Sequence, residues 1–206
     1  MDANKLNTIP VPGEYKLKEK GSVFTALSHP IDSGNQFIEI YSTIKKKYYD
    51  ATHHCYAYKL YGGKEKYSDD GEPTGTAGIR ILNAINHFTL TNVAVIIVRY
   101  FGGTKLGVGP LGKAYYNSAL GVLSAEEFIE KTKYTFYRIN FEYDLTSMVH
   151  HQLKEFEATE IINKFEKRPI VECAVISDRA ESFIANLKDN SKGKVSIEYL
   201  EDRFLI

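Results

Sequence analysis

The longest run of strongly apolar residues is Val93 to Val98, inside VAVIIVRY. No polar residue alternates with it, so it predicts a strand over Val93–Tyr100 that is buried on both faces. Around it the pattern changes period several times. Glu14 to Ser28 alternates like two strands broken at Lys20-Gly21. Phe37, Ile40, Tyr41, Ile44 and Tyr48 recur at helical spacing behind Ser33, a plausible cap, with Lys45, Lys46 and Lys47 at the end that favours cations. His53–Tyr61 reads as a strand, Gly62–Gly78 as a polar, Gly-rich loop, and Ala77–His87 as a helix with Ile81, Leu82 and Ile85 on one face. A second Gly-rich loop, Gly102–Gly112, leads into a helix over Leu111–Leu123. Residues 1–13 lack periodicity and read as a loose arm.

The rhythm then shifts. Thr132–Tyr143 is expected as a strand, followed by a helix capped by Asp144 and running through Glu157. Strands follow at Thr159–Lys167 and Ile170–Ile176, with Pro169 between them. A helix capped by Ser177 or Asp178 runs to near Gly193, and a strand at Val195–Leu200 closes the series. The order β-α-β-β-α-β is that of a ferredoxin-like domain. The sequence therefore predicts an α+β chain cut into residues 1–131 and 132–206.

Composition narrows the function classes. The chain has 206 residues and equal numbers of basic and acidic side chains, 26 each, which argues against binding nucleic acid by bulk charge while leaving room for a local basic patch. Its two cysteines, Cys55 and Cys173, form no disulfide framework or zinc ribbon and fit a reducing cytoplasm. The first residues lack the pattern of a secretory signal, and no apolar run approaches the ~20 residues of a membrane helix. A cytoplasmic protein without membrane contact is expected.

Two constellations carry chemistry. Asp69-Asp70-Gly71-Glu72-Pro73-Thr74-Gly75-Thr76-Ala77-Gly78 puts three carboxylates, two hydroxyls and several glycines just before a helix start, where backbone N–H groups favour an anion. Thr74, Gly75 and Thr76 can seat a phosphate or cap the helix; Asp69, Asp70 and Glu72 are weak candidates for a hard cation. A capped turn with an acidic rim is an equally good reading. The second, Arg99-Tyr100-Phe101-Gly102-Gly103-Thr104-Lys105-Leu106-Gly107, leaves the end of the buried strand. Arg99 and Lys105 flank open backbone at Gly102 and Gly103, and Tyr100 or Phe101 offers a stacking surface, a pattern suited to a phosphate with a base. Arg99 continues a buried strand, so it needs a partner, either a ligand or an internal carboxylate such as Asp70. Gly107 to Lys113 nearly matches a phosphate-binding loop, but Ala114 replaces the hydroxyl residue and Pro110 removes an N–H, so the match is read as coincidence. His53 and Cys55 share one side of a strand and His54 the other; structural roles are expected for them.

Taken together, His53-His-Cys-Tyr-Ala-Tyr58, the Asp69–Gly78 run and the Arg99–Gly107 run resemble, in order and spacing, the YigZ/IMPACT family over about residues 15–125. The resemblance implies a first domain similar to the second domain of small-subunit ribosomal protein five. It implies a second similar to a ferredoxin-like domain of elongation factor G. Eukaryotic members regulate translation through an added N-terminal domain; with only residues 1–13 ahead of the first strand, that domain is not expected here. The expected function is a translation-associated regulator binding RNA, the ribosome or a phosphate-bearing ligand. Arg99, Tyr100, Phe101, Gly102, Gly103, Lys105, Lys113, Thr74, Gly75 and Thr76 are its contacts. No cofactor, catalytic residue or DNA operator site is expected. The alternatives are a metal-assisted hydrolase or other enzyme using Asp69, Asp70 and Glu72, and a protein-interaction module using the open sheet face of the second domain.

Overall fold

A computed structural model of the chain describes residues 4–165 and 167–206. It is an α+β protein with two compact units, Leu6–Glu130 and the described residues before Leu6 together with Lys131–Ile206.

β1 (Lys5–Thr8) spans the boundary between the units, with Leu6–Thr8 in the first; that unit also contains β2 (Gly13–Glu19), β3 (Ser22–Pro30), α1 (Gly34–Lys47), β4 (His53–Lys59), β5 (Glu65–Ser68), α2 (Gly78–His87), β6 (Val93–Tyr100) and α3 (Val108–Ser124). Its main sheet runs β2-β3-β6-β4-β5, every pair antiparallel. The expected double burial of Val93–Tyr100 follows from its place at the centre. Val93, Val95 and Ile97 pack under α2 and α3, while Ala94, Ile96 and Val98 pack under α1. Helices thus cover both faces, which is why the strand needs no polar alternation. Ser33 Oγ accepts the Gln36 amide at 3.2 Å and starts α1 as expected.

Three segments depart from the sequence reading. The arm contains β1, whose Leu6 and Thr8 are buried and whose Asn7 bridges Leu90; residues 1–3 of the arm lie outside the described residues. The Gly62–Gly78 loop contains β5, an edge strand with mostly exposed residues. Also, α3 starts at Val108, so Pro110 is its third residue, in the first turn where a missing N–H costs nothing.

The second unit follows β7 (Ile129–Asn140), α4 (Thr146–Glu155), β8 (Thr159–Phe165), β9 (Pro169–Ile176), α5 (Ala180–Asn190) and β10 (Ser196–Leu205). These strands lie in the order β10-β7-β9-β8, all antiparallel, and the Asn4 carbonyl accepts the Lys133 amide beside them. Tyr137, Ile139, Val171, Cys173 and Val175 bury one sheet face against Val149 and Leu153 of α4 and Phe183 and Leu187 of α5. On the outer face Arg138 pairs with Glu172 and Glu198, and Lys164 with Glu172. Neither helix takes the cap expected for it. Each is entered through a short 3-10 turn, Tyr143–Leu145 or Ser177–Arg179, so Asp144 and Asp178 fall inside the turns and Leu145 and Arg179 occupy the cap positions. Among the described residues no helix is long and apolar enough to cross a membrane.

Candidate functional site

In the sheet register, Arg99 of β6 lies opposite Phe24 of β3 and His53 of β4. All three stand on the side covered by α2 and α3, so the end of β6 delivers a guanidinium to the edge of an apolar core. Arg99 is 5% exposed. Its Nη1 donates to Glu72 Oε1 at 2.6 Å, and its Nη2 to Ser22 Oγ at 3.3 Å. The guanidinium lies 5.3 Å from the Phe24 ring centroid and 5.7 Å from that of Phe101. An internal carboxylate therefore takes Arg99, and it is Glu72 rather than Asp70.

Glu72 is the junction of the two Gly-rich loops. Its Oε1 also accepts the Tyr115 hydroxyl of α3 at 2.7 Å, and its Oε2 lies 3.8 Å from His53 Nε2. His53 Nδ1 is 2.8 Å from the Asp70 carbonyl, which can only accept, so Nδ1 carries the proton and Nε2 faces Glu72. The Cys55 thiol lies 3.3 Å from the Tyr115 hydroxyl and 3.0 Å from the Asp69 carbonyl. Burial pushes the Cys55 thiol and the Tyr115 phenol far up, so both stay protonated donors at neutral pH.

The other two carboxylates are used locally. Asp69 accepts the amides of Gly75, Ala77 and Gly78 at 2.9, 3.0 and 2.8 Å. It is itself the anion at the start of α2, the place where the sequence suggests an external phosphate. Asp70, at φ 42°, accepts the His54 amide at 2.6 Å, while His54 Nε2 donates to the Tyr48 carbonyl. Among the described residues no three His, Cys, Asp or Glu side chains are placed to hold a metal ion.

The expected contact residues separate into groups. Tyr100 turns to the α1 side, where its hydroxyl donates to Asp50 at 2.7 Å. Phe101 is 46% exposed, and its amide donates to Thr52 Oγ1. The Gly102 amide donates to Ser22 Oγ, and a Cβ on Gly102 would fall 1.9 Å from the Gly21 carbonyl carbon, so only glycine permits this crossing. Gly103 and Lys105 are exposed. Thr76 is buried on the Pro73 carbonyl, Thr74 is exposed, and the Gly75 carbonyl accepts Arg80 Nε. Lys113 sits on α3 beside a groove shared with Arg80 and Asn83 of α2. Arg80, Tyr115 and Tyr116 escaped the sequence reading, although Arg80 and Asn83 are one helical step apart on the polar side of Ile81, Leu82 and Ile85.

The Impact N-terminal domain family matches residues 20–123, a span holding the whole Glu72–Arg99–Tyr115 network. The family member YigZ of Escherichia coli is 28% identical over 211 residues, covering 98% of this chain and 100% of that protein. YvyE of Bacillus subtilis is 30% identical over 150 residues, covering 72% of this chain and 69% of its own. A solved structure described as that of an hypothetical protein superposes with a TM-score of 0.70 and 26% identity, covering 96% of this chain and 98% of that one.

Proposed function

This chain belongs to the IMPACT family, and on that footing we propose that it is a translation-associated regulatory protein that binds RNA of the translation machinery through the surface carrying its two Gly-rich loops. The observation that carries the reading is the fixing of both loops by one buried carboxylate. Glu72 from the first loop holds Arg99 at the root of the second and Tyr115 in the helix that follows it. Arg99 is a positioning residue in this arrangement. The exposed groups, Phe101, Gly103, Lys105, Lys113 and Thr74, are left to meet a ligand. Lysines supply phosphate contacts and Phe101 supplies a face for a base. With zero net charge over the whole chain, the binding is modest and depends on this surface.

Co-sedimentation with ribosomes and with ribosomal RNA tests the reading. The chain should pellet at low salt and be released at high salt, and Phe101→Ala with Lys105→Ala should weaken the low-salt binding. Absence of co-sedimentation with either at low salt would overturn it.

A further inference from the structure

Helices α2 and α3 lie side by side over one face of the sheet, and a cavity of about 500 Å³ opens between them. That is within the ~300–1,000 Å³ of ordinary ligand sites. It is lined by Arg80 and Asn83 from α2 and by Val108, Gly109, Lys113 and Tyr116 from α3. The α3 residues recur at helical spacing and form one stripe, and Arg80 and Asn83 form the opposite wall. Among the described residues neither Arg80 nor Lys113 has an ion-pair partner; Arg80 Nε donates only to the Gly75 carbonyl, at 3.2 Å.

Charge sets this groove apart from the rest of the chain. From Pro73 to Ala125 there is no Asp or Glu, although the protein has 26 of them, while Arg80, Arg99, Lys105 and Lys113 fall within that segment. Both helices belong to it entirely. A chain of zero net charge thus carries an acid-free groove with two unpaired cations.

Resting on the RNA-binding reading above, we propose that this groove seats single-stranded RNA, with Arg80 and Lys113 on the phosphates, Tyr116 stacked against a base and Asn83 at a base edge. Two unpaired cations select a polyanion, and an aromatic beside an amide adds what a bare phosphate would leave unused. A concave site takes an unstacked strand. A duplex keeps its bases stacked and presents mainly backbone and 2′-hydroxyls across a wide, shallow groove.

Gly109 supplies the discriminating variant. A Cβ there meets nothing within 4 Å, and its place in the first turn of α3 favours an acid. Gly109→Glu therefore puts a carboxylate in the groove without disturbing the fold. Fluorescence anisotropy of the full chain would use a short labelled single-stranded RNA and the blunt duplex of the same sequence. The single strand should bind more tightly than the duplex. Gly109→Glu should lose at least tenfold in affinity with an unchanged or raised melting temperature. Arg80→Ala with Lys113→Ala should reduce the salt slope by ~1.4, at ~0.7 for each phosphate no longer neutralised. Tyr116→Leu should weaken binding about tenfold and leave that slope unchanged.

Wild-type affinity in Gly109→Glu and in the Arg80, Lys113 pair, with loss only in the Phe101, Lys105 pair, would overturn the groove and leave the functional reading standing. Preference for the duplex would also overturn it. A wild-type chain that binds neither RNA nor ribosomes would remove both.

Discussion

At the scale of single residues, Glu72 has the most to lose by substitution. It is 8% exposed and accepts from both Arg99 and Tyr115. Removing one member of a buried ion pair strands the other charge, so Arg99→Met should cost ~3–5 kcal/mol in urea unfolding. Pairing it with Glu72→Leu should recover part of that loss, because the stranded carboxylate is gone, although Tyr115 then lacks its acceptor. His29 gives a pH dependence. It is half-buried on β3, and burial lowers its pKa from the usual 6.5. The folded chain therefore takes up this proton at a lower pH than the unfolded chain does. The associated stability is complete above pH 6.5 and declines as pH falls through the folded-state value. Unfolding midpoints measured across that window should fall for the wild type and flatten in His29→Phe.

At the scale of elements, the start of α2 depends on Asp69. Its side chain accepts three backbone amides, more than an ordinary cap does. Asp69→Ala should cost at least ~2 kcal/mol, the upper end for caps, and loosen the first loop, visible as faster amide exchange at Gly75, Ala77 and Gly78. Which carboxylate turns where could not be read from the sequence. Asp69, Asp70 and Glu72 are chemically alike, and the left-handed turn at Asp70 and Gly71, φ 42° and 87°, decides that Glu72 points into the core. The sequence suggests Asp70 as a possible partner of Arg99 because composition has no direction. The central strand, α1 with its Ser33 cap, the Lys20-Gly21 turn and the β-α-β-β-α-β order were legible, since each rests on periodicity or turn chemistry local to its segment. The edge strand β5, EKYS, was not, because most of its residues face solvent and leave no apolar alternation. The entries to α4 and α5 were missed for a related reason: Asp144 and Asp178 have the right chemistry for a cap, and the 3-10 turns that displace them depend on how Leu145 and Ala180 pack into the core.

Over the whole molecule, each of the two units has a core with one buried cysteine, Cys55 in the first and Cys173 in the second. Burial pushes the Cys173 thiol up to about 12 and raises the Cys55 thiol strongly as well. Neither should react with a thiol reagent in the native protein on the timescale of exposed thiols. In Cys173→Ala the labelling rate should report the opening of the first unit alone, and in Cys55→Ala that of the second. The carboxylate network bears on how the first unit assembles. Its bonds join residues 27, 43 and 77 positions apart, and they need β3, the first loop, β6 and α3 all in place. Such long-range bonds form after the rate-limiting step of folding unless they belong to the nucleus. Arg99→Met and Glu72→Leu should therefore leave the folding limb of a chevron nearly unchanged and raise the unfolding limb. The network would then act as a latch on the native state, governing how long the loop surface persists once formed rather than how quickly the chain finds it.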